Sequence, residues 1–170
     1  AIVTGQGTGR TTNHWHCRLN STLGLEGWSL VPTHVCLMPH MLPNAFTLGV
    51  YSPADGDLAN SGTIVLWGEN PAMERAITRT IFDRQRQGAK LVVIDTRFQD
   101  MSKHADLAIQ PRPGTDGALA LGIIREVIAN DWYDHEWIEN WTYGFEDLRA
   151  RVEEFTPERV AEICWIKPDQ

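Results

Sequence analysis

The feature that most constrains this sequence is a central alternation of short apolar runs with longer amphipathic ones. Thr63-Ile64-Val65-Leu66-Trp67 is followed by Gly68-Glu69-Asn70-Pro71 and then by a helical pattern over 72–87, closed by Gly88. In that pattern Met73, Ala76, Ile77, Thr80 and Ile81 share one stripe, and Arg75, Arg79, Arg84 and Arg86 lie off it. A second apolar run, Leu91–Ile94, ends in Asp95-Thr96-Arg97. A third, Leu107–Ile109, is followed by Pro113-Gly114-Thr115-Asp116 and a helical pattern reaching Asn130. Runs that are apolar at nearly every position predict strands covered on both faces. Strand, helix and strand in this order predict a right-handed parallel βαβ unit. All three strands end in polar residues, and parallel sheets bind ligands outside the carboxyl ends of their strands.

With 42% hydrophobic and 22% charged residues, the 170-residue chain is expected to fold around a real core. Its net charge of -7 argues against nucleic acid or an anionic membrane surface as the main partner. No apolar run approaches the roughly 20 residues of a membrane helix, so no direct membrane insertion is expected. Cys17, Cys36 and Cys164 are too few and too scattered for a disulfide framework, which leaves the compartment open. The chain starts Ala1-Ile2-Val3, without an initiator Met or a basic leader, and reads as an internal segment of a longer chain.

Ala1–Val3 reads as a strand leading into Thr4-Gly5-Gln6-Gly7-Thr8-Gly9. Gly7 and Gly9 are candidate ligand contacts, because glycines let the backbone approach a bound group closely; a flexible turn is the alternative. A helix is expected over 12–23, ended by Gly24, with His14 and Cys17 at i, i+3. Two such ligands without a third make a poor zinc site, and a packed aromatic turn is favoured. The stretch 36–62 is rich in Pro, Gly, Asn and Asp, and Pro39 and Pro43 are expected to forbid a long regular helix. Long irregular loops in compact domains are usually functional. Helices are expected over 134–141, 145–154 and 157–163, the last with Thr156 as N-cap and Pro157 at its first position. Trp132, Trp137, Trp141 and Trp165 are expected to pack these helices together rather than to form a stacking box. The predicted fold is α/β: a three-layer, Rossmann-like, doubly wound and mostly parallel sheet with a helical C-terminal third. One segment spans 1–170, with a βαβ core over 63–130 and a helical tail over 131–170.

Three blocks in this order carry a resemblance: Trp67-Gly68-Glu69-Asn70-Pro71 (a WGxNP strand end), Val93-Ile94-Asp95-Thr96-Arg97 (close to VDPR, with Thr96 for Pro) and Arg112-Pro113-Gly114-Thr115-Asp116 (RPGTD). The chain resembles the molybdopterin oxidoreductases of the dimethyl-sulfoxide-reductase type. Tyr133-Asp134-His135-Glu136-Trp137-Ile138 and Phe155-Thr156-Pro157-Glu158 follow the family's usual continuation, so the likeness covers essentially the whole chain. It implies part of a catalytic subunit that holds one molybdenum or tungsten between two molybdopterin guanine dinucleotides. Cofactor contacts are then expected from Trp67, Gly68, Glu69, Asn70, Asp95, Thr96, Arg97, Gly114, Thr115 and Asp116, with Gly7 and Gly9 from the glycine turn. Asp116, facing the base, can accept from guanine N–H groups, a charge-assisted bond worth roughly 1.5–3 kcal/mol. Asp95 is a second acceptor, and Asn70 and the Gly68 backbone suit phosphate or ribose.

Val35-Cys36-Leu37-Met38-Pro39 fits the family's V-C-x-x-P motif and implies Cys36 as the catalytic metal ligand, on a loop within 1–62. A soft thiolate suits molybdenum or tungsten. Leu37 stands where formate dehydrogenases usually carry His, which makes formate a poorer expectation; His40 stands where relatives often carry Arg, so no substrate role is carried over to it. The implied reaction is two-electron redox or oxygen-atom transfer on a small-molecule substrate, with a non-redox hydratase as an alternative inside the family. Outside it, the rival is a non-catalytic Rossmann-like nucleotide-binding or interaction module. An iron–sulfur cluster is implied for the full-length subunit but not for this segment, and an iron–sulfur electron-transfer subunit as partner. The segment is expected to be inactive alone.

Overall fold

The computed structural model describes residues 18–19, 21–24, 37–50, 56–71 and 75–170. They belong to two units, 1–56 and 57–170. In the first, residues 18–19 and 21–22 are helical, and the chain turns at Gly24, where the sequence predicts the helix to end. The expected strand at 1–3, Gly7, Gly9, His14, Cys17 and Cys36 lie outside the described residues.

Helix α1, Leu37–Leu48, corrects the expectation drawn from its prolines. Pro39 falls in the first turn, where a missing N–H has no intrahelical partner to lose. Pro43 is inside the helix and removes one bond from the ladder, yet the helix continues for five more residues. The Thr47 hydroxyl donates back to the Pro43 carbonyl at 2.6 Å. A 12-residue part of the stretch expected to be irregular is therefore a helix.

The second unit runs β1 (Thr63–Trp67), α2 (Arg75–Arg86), β2 (Lys90–Ile94), a 3-10 helix (Asp100–His104), β3 (Leu107–Ile109), α3 (Asp116–Ala129), α4 (His135–Trp141), α5 (Phe145–Val152) and α6 (Pro157–Cys164). The three strands form one sheet in the order β1-β2-β3, parallel throughout. Each lies where its apolar run predicts. α6 is capped as read, with Pro157 in the first turn and the Thr156 hydroxyl accepting from the Arg159 N–H at 3.3 Å.

Two apolar clusters give the unit its layers. On one face Ile64, Leu66, Leu91 and Val93 meet Ile81 of α2 and Met101 of the 3-10 helix, with Ile77 and Phe82 alongside. On the other, Ile94 and Ile109 meet Leu119 of α3 and Val160 and Cys164 of α6, with Phe155, Trp67, Val92 and Leu107. Burying side chains of this size is worth roughly 1.5–3 kcal/mol each. One expectation of full cover fails at β1. Val65 points to the face of Trp67 but is 52% exposed, because α3 and α6 lie over β2 and β3.

The four C-terminal tryptophans also depart from expectation. Trp132, Trp137, Trp141 and Trp165 are each more than half exposed, and α4 has no buried residue. Trp137 and Trp141 stack on each other with ring centroids 6.1 Å apart instead of entering the core. α3 and α6 instead approach closely where Gly122 faces Val160. A Cβ built on Gly122 would lie 2.7 Å from Cγ2 of Val160, which is buried. Ordinarily Gly→Ala inside a helix stabilises by up to about 1 kcal/mol. Here overpacking outweighs it, and Gly122→Ala is expected to lower unfolding stability by about 1 kcal/mol in a denaturant titration.

The amino ends of β2 and β3 are tied by Asp106. Its carboxylate accepts from the Leu91 N–H at 2.9 Å and from Lys90 Nζ at 2.9 Å. The Leu91 amide first, and the Lys90 ammonium second, hold this carboxyl below its ordinary range. Its contribution to stability is therefore full at neutral pH and is lost as acid protonates it in the folded state.

Candidate functional site

The opposite, carboxyl end of the sheet is flush. Trp67 pairs in register with Ile94, and Ile94 with Ile109, so the three strands stop side by side. The next residues continue the alignment: the Gly68 N–H donates to the Ile94 carbonyl at 2.8 Å, and the Asp95 N–H to the Ile109 carbonyl at 3.1 Å. Gly68 has φ +63°, a conformation that costs a side-chain-bearing residue about 1 kcal/mol or more. Leaving β1 there turns Glu69 and Asn70 outward, and both are exposed. Gln99, itself buried, steadies that turn by donating from Nε2 to the Glu69 carbonyl at 2.8 Å.

After β2, the Asp95 carboxylate accepts from the Arg97 N–H at 2.8 Å. This Asx-type turn leaves Thr96 and Arg97 exposed beside the strand end. After β3, the Thr115 N–H and hydroxyl both donate to the Arg112 carbonyl, at 3.2 and 2.7 Å. Pro113 and Gly114 (φ +81°) occupy the centre of this reverse turn, the positions that suit each of them best. Thr115 is the N-cap of α3 and Asp116 its first residue. The N-cap position of α3 is thus Thr115 and not Asp116.

One hydrogen bond joins residues 49 apart in sequence. Trp67 Nε1–H donates to Oδ1 of Asp116 at 2.8 Å. It ties the end of β1 to the start of α3 and spends one carboxylate oxygen, while Asp116 remains exposed. Trp67, expected as a cofactor contact, thus aims its one polar atom at Asp116. The two motif blocks and the Asp95 turn are brought together at one edge.

Sequence reasoning missed the end of α6. The Arg112 N–H donates to the Cys164 carbonyl at 2.8 Å, and the Cys164 thiol lies 3.6 Å from the Thr115 carbonyl as a weak donor. The Arg112 guanidinium carbon sits 4.7 Å from the centroid of the Trp165 ring. The signal available was Trp165 standing just past a helix end, where glycine is usual. A separate cleft of about 640 Å³, lined by Arg125, Tyr133, Glu146 and Arg149, lies at the C-terminal side of α3 and carries none of the motif blocks. Among the described residues no group of three or more His, Cys, Asp or Glu side chains is arranged to hold a metal. No helix among them is long and apolar enough to cross a membrane.

The family model described as Molybdopterin oxidoreductase matches residues 27–153, well over half of the chain. The chain belongs to the molybdopterin oxidoreductase family. Its relatives are enzymes of the dimethyl-sulfoxide-reductase type. Acetylene hydratase of Syntrophotalea acetylenica is 33% identical over 148 residues, 86% of this chain and 20% of that protein. The alpha subunit of F420-dependent formate dehydrogenase 1 of Methanococcus maripaludis is 30% identical over 75% of this chain and 19% of its own length. The molybdopterin-containing subunit of thiosulfate reductase from Salmonella typhimurium is 37% identical over 66% of this chain and 15% of its own. The solved structure of acetylene hydratase from Pelobacter acetylenicus superposes with a TM-score of 0.74 at 31% identity, over 83% of this chain and 19% of that one. The chain thus spans about a fifth of the length of these relatives. The sheet and its flanking helices are the shared α/β architecture. Membership of the family implies a pterin cofactor carrying molybdenum or tungsten.

Proposed function

We propose that this chain is part of a catalytic subunit whose sheet edge holds the guanine nucleotide end of a bis(molybdopterin guanine dinucleotide) cofactor. In this reading Cys36 is the protein ligand to its molybdenum or tungsten. The observation that carries the proposal is the bond from the Trp67 indole to Asp116 at the flush carboxyl edge. It consumes Oδ1 and leaves Oδ2 of an exposed carboxylate without a partner among the described residues. A guanine base offers N1–H and a 2-amino group side by side, which such a carboxylate can accept. Adenine presents an acceptor at N1 and would be repelled. The carboxylate acceptor at the edge therefore fits a guanine base.

The cofactor, when bound, supplies two-electron redox chemistry at its metal. The chain's own residues bind and orient it. Asp116 reads the base, and the backbone after Gly68 leaves room for phosphate or ribose, with Asn70 beside it. The Asp95 turn closes the neighbouring strand end. Gly7 and Gly9 are further cofactor contacts in this reading. The substrate is a small molecule, the electron-transfer partner an iron–sulfur subunit, and the 170 residues alone do not turn over.

A second reading within the family is non-redox hydration, favoured by the likeness to acetylene hydratase in both sequence and structure. Extraction of the complete denatured protein, followed by mass spectrometry, tests the cofactor. Guanine dinucleotide pterin is expected at about two per metal. Its absence after expression in a molybdenum-replete host would leave the ordinary nucleotide-binding or interaction module as the function. Turnover of a redox dye separates oxidoreductase from hydratase.

A further inference from the structure

The geometry points to Trp165 as a positioning residue that holds Arg112 ready for a phosphoryl group of the nucleotide; this rests on the guanine-nucleotide reading above. Trp165 follows α6 with φ +59°, in the left-handed region where a side-chain-bearing residue is strained. Glycine is the usual occupant of that place. The strain is not offset by burial, since Trp165 is 71% exposed. The ring carries the Arg112 guanidinium 4.7 Å from its centroid.

Arg112 is held from behind as well. Its N–H is fixed to the Cys164 carbonyl, and the Cys164 thiol lies against the Thr115 carbonyl, so the end of α6 grips both ends of the Arg112–Thr115 turn. Among the described residues no acceptor takes the guanidinium's own N–H groups. Glu158 and Glu162 line the same shallow groove without pairing to it. A planar guanidinium laid on an aromatic face keeps its N–H fork at the rim, the geometry that suits a phosphate in two-point contact. The turn it belongs to is the one that presents Asp116. Base and phosphoryl recognition would then be set by the same five residues, with Trp165 fixing the second.

The test is binding of GDP and of uncharged guanosine to the complete, cofactor-free protein, together with thermal unfolding. Trp165→Gly relieves the backbone strain, so Tm should stay or rise. GDP affinity should fall about fivefold while guanosine affinity is unchanged. Trp165→Phe, which keeps a ring, should restore most of the loss. Equal losses for GDP and guanosine, or no loss for either, would overturn the inference. If Trp165→Gly does not fold, Trp165→Asn, which tolerates the left-handed turn but lacks the ring, decides: it must lower GDP affinity and leave guanosine affinity unchanged. Asp116→Ala separates the two levels of the argument. Should it weaken both ligands while Trp165→Gly weakens neither, only the role of Trp165 falls. Should it too change nothing, the guanine-nucleotide reading falls with it.

Discussion

Asp116→Ala in the complete protein is expected to weaken guanine nucleotide binding by roughly 10- to 150-fold, the equivalent of one charge-assisted hydrogen bond of 1.5–3 kcal/mol. The fold should survive, because Asp116 is exposed and the N-cap of α3 is Thr115. Titration with GDP and ADP reads the effect: the preference for GDP should collapse toward equality. Asp116→Asn gives a sharper signature. Its amide oxygen can still accept from the Trp67 indole, but its N–H group now faces the base. Guanine loses its acceptor, while xanthine gains a donor for its 2-oxo group, so the preference should turn toward xanthosine diphosphate. Trp67→Phe is the control for orientation. It keeps an aromatic ring in the second apolar cluster and removes the N–H, at the cost of the smaller phenyl volume. A loss of a few-fold is expected, smaller than for Asp116→Ala. Unchanged GDP selectivity in both Asp116 variants would show that the base is read elsewhere.

How much of this was legible in the sequence differs from element to element for physical reasons. The three strands and the helices after them are announced by apolar periodicity, and the caps at Thr156 and Pro157 by residue types with one strong local use. α1 was not legible, because a proline inside a helix is read as a break although its cost, about 3 kcal/mol, can be met by the rest of the unit. The exposure of Val65 and the four tryptophans was hidden for another reason. Apolar character states what a side chain would gain by burial, not whether this chain supplies the cover. In the site, the motif blocks name the edge residues. Nothing in them says that Trp67 spends its N–H on Asp116, or that Cys164 and Trp165 grip the turn between. Those are contacts between residues 49 or more apart, fixed by the packing of α3 against α6 and against the sheet.

Cys36→Ala is expected to reduce metal-centred turnover of the complete enzyme by about 100-fold or more. Even outer-shell changes around metals cost 10- to 100-fold, and this one removes the proposed soft ligand itself. Nucleotide retention should be untouched, since the base recognition proposed for Asp116 lies in the second unit and Cys36 belongs to the first. The extracted guanine dinucleotide per chain should therefore match the parent protein while the metal's electronic spectrum changes. Cys36→Ser, which offers an oxygen ligand, should recover part of the activity with a shifted spectrum. Cys164→Ala is the matched comparison. That thiol is buried against Thr115 and belongs to the second apolar cluster, so its loss should cost about 1–2 kcal/mol of stability and leave activity per bound metal nearly unchanged. The two cysteines thus predict opposite outcomes, chemistry without stability for one and stability without chemistry for the other. Full activity in Cys36→Ala would refute the ligand assignment while leaving the nucleotide edge intact.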